Sequence, residues 1–499
     1  MTASVIQLAL VSHTNSGKTT LTRTLLGADV GEVRDAAHVT QDAQSHVLLE
    51  TSEGDRLTLW DTPGFGDSSR LARRLAMANN PIGWFLREVI DRYRDRAFWL
   101  SQKALRAARE RADVVLYLVN SSEAPEDAGY VAAEMQILDW LGKPVILLLN
   151  QLGPPRPAAE EMAEQARWRS HLARYPHVRA TLALDAFARC WVHEQAFFIT
   201  LAEVLPEPLQ PGHARLLAQW RHENAARFNA SMHALARQIG GAAREVQAVE
   251  VAENSVLKSA LKIVGVGRDA ARRTQEQAMA ALVGRTQHAA DAVTRELLVL
   301  HRLEPRDAVL INARLRDTFT VRAPVDKTLA GLLGAILTGA ATGLTTDLLA
   351  GGLTFGGGAL LGGLLGGMTA AGAVWGFNAG TDRNHPELRY SDEFLDSLLV
   401  TGVLRYLAVA HFGRGRGQFV EGESPAFWQG AVERALNSGS GGAAWWQKVR
   451  ASDAATGETL LSERLASVCL AVLAELYPGQ QLDWIRGPDV PLPGNTDQK

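Results

Sequence analysis

Short apolar runs alternate with helical patterns over roughly the first 200 residues. The runs predict strands at 5–11, 47–49, 57–60, 114–119, 145–149 and 180–184. The runs at 114–119 and 145–149 are continuously apolar, which is typical of strands covered on both faces. Strands that alternate with helices favour a mainly parallel sheet, so the predicted fold class for this part is α/β.

The rest of the chain has a mostly helical pattern. A Pro/Gly cluster near 206–212 predicts a boundary, and Gly240-Gly241 is interpreted as an interruption or hinge in the helical stretch 213–303. Residues 328–380 are Gly-rich and apolar, with Asp347 as the single charge. The predicted organisation is an α/β domain at 1–205, a helical region at 206–327, an apolar hairpin at 328–380, a helical region at 381–486 and a loose tail at 487–499.

Composition narrows the class of protein. The 499 residues are 46% apolar and 21% charged, as in a folded globular chain, and the net charge of −3 gives no reason to expect a specific nucleic-acid partner. The two cysteines, Cys190 and Cys469, match no zinc or redox spacing. Together with an N-terminus that lacks a signal-peptide pattern, they predict a reducing cytoplasmic location.

The strongest motif follows the first predicted strand. Residues 12–19 read SHTNSGKT, which is the phosphate-binding pattern GxxxxGK(S/T) with Ser12 in place of the first glycine. Backbone N–H groups around Gly17 would face phosphates, Lys18 would contact the β- and γ-phosphates, and the Thr19 hydroxyl would bind Mg²⁺. The candidate nucleotide-binding residues here are Thr14, Asn15, Ser16, Gly17, Lys18, Thr19 and Thr20.

A second motif, DTPG at 61–64, follows the strand at 57–60. Asp61 would hold Mg²⁺, and the Gly64 N–H would contact the γ-phosphate. Thr40, in the polar stretch 31–45, is the candidate switch threonine that would cap Mg²⁺ and the γ-phosphate. The candidate catalytic residues are therefore Lys18, Thr40 and Gly64, and the candidate magnesium ligands are Thr19, Thr40 and Asp61.

This set of motifs, with a strand ending at Asn150, resembles the Era-like GTPases of the translation-factor-related class. The rest of the chain is similar to bacterial members with a C-terminal domain of unknown function. The resemblance implies a P-loop G domain that binds GTP with Mg²⁺, hydrolyses it slowly and switches conformation for an unknown protein partner.

The guanine-reading motif departs from the family pattern NKxD. The chain has NQLG at 150–153, so Gly153 cannot supply the carboxylate. Asn150 and Gln151 could still pack on the base, and Asp185 and Ala186 match the later base-contacting loop. The alternative is an ATP-using enzyme on the same fold.

The residues around the γ-phosphate suggest how hydrolysis would proceed. Phe65 follows Gly64, where GTPases of the Ras type carry a water-orienting glutamine. Asn15 matches the asparagine that binds K⁺ in potassium-dependent Era-like GTPases, which often need a second G domain. Hydrogen bonding of Asn15 within the loop is an equal alternative.

The small residues of 328–380 recur at three- and four-residue spacing, as in closely packed membrane helices. One interpretation is a hairpin at the inner face of the cell membrane, with cytoplasmic ends. The other is a tightly packed soluble helical hairpin. For the function of the whole protein, a third hypothesis beside the GTPase and the ATP-using enzyme is a structural membrane protein with a degenerate nucleotide domain. The intact Lys18, Thr19 and Asp61 argue against it.

Overall fold

A computed structural model gives the structure of the chain. The described residues are 3–14, 16–26, 44–62, 64–65, 67–76, 96–152, 156–184, 190–248, 266–303, 387–390, 392–411, 427–438 and 442–486. Two compact units are present, one made of Met1–Ala226, Ala410–Glu423 and Leu476–Lys499, the other of Arg227–Val409 and Ser424–Glu475.

The first unit contains a six-stranded sheet with the order β2-β3-β1-β4-β5-β6. All neighbouring strands are parallel except β2, which pairs with β3 in the antiparallel direction. The predicted α/β class with a mainly parallel sheet is confirmed. The strands are β1 (Val5–Ser12), β2 (Gln44–Glu50), β3 (Arg56–Asp61), β4 (Val114–Asn120), β5 (Val145–Asn150) and β6 (Val178–Ala183).

Helices cover this sheet and bury its apolar strands. Every residue of β5 is buried, as the continuous apolar run predicted, because both of its neighbours are strands and helices pack on its faces. The helices among the described residues of this part are α1 (Lys18–Leu26), α2 (Ser68–Ala76), α3 (Arg96–Arg111), α4 (Val131–Leu141), α5 (Ala158–Leu172) and α6 (Trp191–Val204).

The strand register determines what meets at the carboxyl edge of the sheet. Leu10 of β1 lies opposite Asp61 of β3, and Asn120 of β4 lies opposite Asn150 of β5. Since parallel strands end at one edge, the loop after β1 lies beside the ends of both β3 and β5. The motifs at 12–19 and 61–64, which are distant in sequence, are thereby brought together.

The turn between β2 and β3 is held by a buried ion pair. Gly54 has a left-handed φ of 89°, and Asp55, which is 0% exposed, accepts bonds from the Ser4 N–H at 2.9 Å and from Arg215 Nε and Nη2 at 2.6 and 2.7 Å. Arg215 belongs to α7 (Gln210–Arg244). Chiefly through this hydrogen bond, the Arg215 guanidinium lowers the pKa of Asp55 to about 2.

Asp55→Asn is expected to destabilise the first unit by on the order of 2–3 kcal/mol at pH 7, near the lower end of the cost of breaking a buried ion pair. Because the folded pKa lies below the ordinary 3.8, the stabilisation is complete above pH 4 and is lost as pH falls towards 2. Urea denaturation of the wild type and the variant at pH 7, 5 and 3 measures the free energy of unfolding and its pH dependence. The matched control is Glu50→Gln, which breaks the exposed Glu50–Arg56 pair of the same hairpin and should cost under about 1 kcal/mol. Equal effects of the two variants would contradict the assignment.

The end of the described chain packs within the first unit. Gln195 Nε2 donates to the Gln481 carbonyl at 2.6 Å, and Trp484 Nε1 donates to Gln195 Oε1 at 2.7 Å. The Trp484 ring also contacts Trp191 and Trp220, each with ring centroids 5.6 Å apart. The first unit is therefore built from both ends of the chain.

The second unit is helical, as predicted. Beyond the later part of α7, the helices that the structure describes here are α8 (Val266–Leu300), α9 (Asp392–Ala410), α10 (Phe427–Asn437), α11 (Ala443–Ala451) and α12 (Ala454–Leu476). A short antiparallel pair is formed by β7 (Gln247–Ala248) and β8 (Glu387–Leu388). Phe228 and Tyr406 meet edge to face in its core.

The interruption predicted at Gly240-Gly241 is wrong. Helix α7 continues through both glycines to Arg244. A Cβ on Gly240 would lie 3.2 Å from Leu461 Cδ1, so a small residue here admits a close neighbour and does not break the helix. The helix also begins at Gln210, inside the predicted boundary, because Pro211 is tolerated in a first helical turn.

Among the helices that the structure describes, none has both the length and the apolar character needed to cross a bilayer. The predicted hairpin at 328–380 and the tail at 487–499 lie outside the described residues.

Candidate functional site

The loop after β1 turns sharply at Gly17, whose φ is 87°. Its Cα faces Asn150 at the end of β5, so closely that an added Cβ would lie 2.6 Å from Asn150 Nδ2. The same amide nitrogen donates to the Ser16 carbonyl at 2.8 Å. Asn150, with its side chain fully buried, therefore fixes the loop from β5, which is separated from β1 by β4 in the sheet.

Lys18, the first residue of α1, points back along the loop. It is 8% exposed, and its Nζ donates to Ser12 Oγ at 2.8 Å. Burial lowers the pKa of Lys18, while the charges of Asp61 and Glu134 act in the opposite direction. Ser12, which departs from the usual glycine, thus supplies the hydroxyl that holds the lysine.

Thr19 and Asp61, the two described candidate magnesium ligands, are in contact. Thr19 Oγ1 donates to Asp61 Oδ2 at 3.0 Å. The other oxygen, Asp61 Oδ1, is buried without a hydrogen-bond partner. Burial raises the pKa of Asp61, against the lowering effects of Lys18, Thr19 and His46.

This donor set fits Mg²⁺. The orphaned Asp61 oxygen is free to accept from a metal-bound water, and a divalent cation would favour the charged carboxylate against the cost of burial. In the described part of the chain, no group of three or more His, Cys, Asp or Glu could hold a metal. Mg²⁺ commonly takes few protein ligands and completes its shell with phosphate and water, so a site with two described protein ligands is compatible with this ion.

Gly64 lies against the phosphate-binding loop. A Cβ built on it would be 3.1 Å from Thr14 Cα and 3.2 Å from Lys18 Nζ. Thr14 Oγ1 nearby is a second buried oxygen with no partner. The Phe65 N–H donates to the Ser12 carbonyl at 3.0 Å, and the Phe65 side chain is buried in the core.

The candidate base-reading residues are only partly described. Gln151 follows Asn150 in the left-handed region, with φ 59°, and its Nε2 lies 3.7 Å from the position of a Cβ on Gly17. Thr20 is buried in α1. The remaining candidates, Asn15, Thr40, Asp185 and Ala186, lie outside the described residues, as does Gly153.

The structure adds residues that the sequence did not single out for this site. Glu134 of α4 is fully buried behind the loop and contacts both His13 and Tyr117. Its one sequence signal is a carboxylate among the apolar residues of a helix. The contact with His13, which lies 121 positions away, produces no local pattern in the sequence.

Two family models match the chain. One, described as a domain of unknown function (DUF3482), matches residues 169–463, more than half of the chain. The other, described as 50S ribosome-binding GTPase, matches residues 7–151, which include the phosphate-binding loop, Asp61 and Asn150.

Individual proteins match over shorter parts. GTPase Der of Deinococcus deserti is 29% identical over 153 residues, which cover 30% of this chain and 27% of Der. A variant of Aquifex aeolicus Era bound to GDP and AlF4⁻ aligns with 22% identity and a TM-score of 0.30, over 41% of this chain and 58% of that one. Era in complex with MgGDPNP and a segment of 16S ribosomal RNA aligns with 21% identity and a TM-score of 0.30, over 45% and 68%.

The sheet order, the loop around Gly17 and the matched GTPase model agree with one another, and the predicted resemblance is confirmed. The chain belongs to the DUF3482 family, with an Era-like P-loop GTPase domain at its N-terminal end.

Proposed function

We propose that this protein binds GTP with Mg²⁺ at the loop of residues 12–19 and hydrolyses it slowly. The observation that carries the proposal is the convergence of Lys18, Thr19 and Asp61 at one edge of the sheet, with Thr19 Oγ1 3.0 Å from Asp61 Oδ2. Three unpaired or exchangeable groups meet there: the Lys18 ammonium, Asp61 Oδ1 and Thr14 Oγ1.

Each residue has a distinct role in this proposal. Lys18 exchanges its bond to Ser12 for the β- and γ-phosphates, and the Thr19 hydroxyl and Asp61 hold Mg²⁺. Bound Mg²⁺ supplies charge neutralisation at the phosphate oxygens. Backbone N–H groups at Ser16 and Gly17 face the phosphates, as in other phosphate-binding loops.

Slow turnover follows from Phe65. Its side chain is 1% exposed and carries no hydrogen-bonding group, so it cannot orient an attacking water. The switch role is supported by Gly64, which lies against Thr14 and Lys18 and leads into α2. A γ-phosphate that displaces or attracts Gly64 would move the start of that helix, whose Leu71 and Leu75 are part of the core.

Base specificity tests the proposal. Displacement of a fluorescent GTP analogue by GTP, GDP and ATP, each with Mg²⁺, should show that GTP competes at concentrations at least tenfold below those of ATP. Equal or better competition by ATP would reject guanine specificity and favour the ATP-using alternative that Gly153 suggests. Displacement by none of the three would reject the nucleotide site.

We further propose that K⁺ accelerates hydrolysis through Asn15, with a second G domain ordering the switch. GTP turnover should be higher in KCl than in NaCl at equal concentration, because a cation near the bridging oxygen stabilises developing charge. Turnover per molecule should also rise with protein concentration. Equal rates in the two salts would exclude the potassium mechanism, a rate independent of concentration would exclude the dimer, and an Asn15→Ala variant that keeps the K⁺ response would exclude this ligand.

A further inference from the structure

A buried carboxylate lies directly behind the phosphate-binding loop. Glu134 is 0% exposed, and both of its oxygens are bonded. The Tyr117 hydroxyl donates to Oε2 at 2.6 Å, and His13 Nδ1 lies 2.7 Å from Oε1. A carboxylate withdrawn from water is strongly unfavourable unless donors replace the water, so each of these two contacts is needed by Glu134 itself.

His13 is held from several directions at once. Its ring stacks on Tyr130, with centroids 4.2 Å apart and planes 18° from parallel. Its carbonyl accepts from Ser12 Oγ at 2.5 Å and from Ser16 Oγ at 2.9 Å. The 2.7 Å contact with Glu134 Oε1 holds the ring nitrogen that faces α4, so both the backbone and the side chain of His13 are constrained.

The position of His13 in the loop indicates what the contacts that hold it would do. His13 stands immediately before Thr14, and Asn150 holds the Ser16 carbonyl on the other side of the turn. The loop is thus anchored at both ends of the segment whose N–H groups would receive phosphate. A loop that is already ordered loses less conformational entropy when its ligand binds, so such anchoring raises affinity without contacting the ligand.

We propose that Glu134 is a positioning residue of the nucleotide site, which acts through His13 to keep His13, Thr14 and Ser16 in the phosphate-receiving conformation. This inference rests on the proposed function.

A matched pair of variants separates the effect of the hydrogen bond to Glu134 from the effect of the stacking on Tyr130. His13→Phe keeps an aromatic ring that can stack on Tyr130 but removes the hydrogen bond to Glu134. His13→Asn removes the stacking but offers an amide N–H at the position of Nδ1. Both are measured in the full chain by hydrogen exchange of the peptide covering residues 10–20 without nucleotide, and by affinity for GDP and GTP.

The expected result is that His13→Phe exchanges at least tenfold faster in this peptide and binds GDP at least tenfold more weakly, whereas His13→Asn stays within threefold of wild type in both measurements. Exchange in α12 should be unchanged in either variant. Wild-type behaviour of His13→Phe would overturn the proposal. Equal losses in the two variants would also overturn it, because the bond to Glu134 would then not be the relevant contact.

Glu134→Gln tests the contact from the other side if His13→Phe does not fold. It keeps the shape and a hydrogen-bonding oxygen but removes the charge, and charge-assisted bonds are about twice as strong as neutral ones. Exchange of the loop peptide should rise threefold to tenfold, and an unchanged rate would overturn the proposal. If wild-type protein binds neither nucleotide, the proposed function fails, and the exchange comparison alone decides the role of Glu134.

Discussion

Replacing Gly17 by alanine is expected to weaken GTP and GDP binding at least a hundredfold while the protein remains folded. The new Cβ would lie 2.6 Å from Asn150 Nδ2, so either the loop or the Asn150 side chain must move. Movement of the side chain breaks its bond to the Ser16 carbonyl, and movement of the loop redirects several N–H groups away from phosphate. Each charge-assisted bond lost is worth roughly 1.5–3 kcal/mol.

Gly142→Ala is the matched control for backbone strain. Gly142 also has a left-handed φ, 67°, at the end of α4, but no heavy atom lies within 4 Å of its added Cβ. Both substitutions therefore carry a left-handed penalty of about 1–2 kcal/mol, and only the first meets another side chain. Thermal unfolding should show a larger stability loss in Gly17→Ala, because of the added contact with Asn150, and calorimetric titration with GDP should show a binding loss in Gly17→Ala alone. Nucleotide affinity that survives in Gly17→Ala would remove the loop from the site.

Lys18→Ala is expected to reduce GTP affinity about tenfold to a hundredfold, the equivalent of roughly 1.5–3 kcal/mol for a charge-assisted contact. The structure adds a second reason for the loss. The Lys18 charge lowers the pKa of buried Asp61, so its removal leaves burial less opposed and favours the protonated acid. A protonated Asp61 is a poor partner for Mg²⁺ or its water shell.

Lys143→Ala is the control for the loss of one positive charge. Lys143 precedes β5, at the edge of the parallel sheet opposite the loop after β1. Its removal should leave GTP affinity unchanged within twofold. Fluorescence titration of both variants with a GTP analogue, with Mg²⁺ and with a chelator, measures the nucleotide and metal effects together. An unaltered affinity in Lys18→Ala would refute the site assignment.

The sequence was most informative where a local pattern determines local structure. The apolar runs at 114–119 and 145–149 became β4 and β5 with one added residue each, because a strand buried on both faces must be apolar throughout. The phosphate-binding loop was predicted because Gly17, Lys18 and Thr19 are consecutive. Asp61 was predicted because it ends an apolar run, and the β1–β3 register then places it beside the loop.

Contacts between distant positions could not be predicted in this way. Asp55 lies between two predicted strands, and its pairing with Arg215, 160 positions later, follows from no local pattern. His13 lies within the predicted phosphate-binding loop, but its bond to Glu134 depends on where α4 packs. Gly240 was misread because helix breaking and close helix packing both select glycine, and only the neighbouring Leu461 distinguishes them.

The packing of Gln481 and Trp484 against α6 bears on the order of events during synthesis of the chain. The first unit receives these contacts from residues that leave the ribosome after the whole second unit, roughly 250 residues later. At ~5–20 residues per second, that interval is about 10–50 s. Throughout it, a nascent chain can fold its sheet and phosphate-binding loop while Trp191 and Trp220 still lack the Trp484 ring. Completion of the first unit would thus wait for synthesis of the whole second unit.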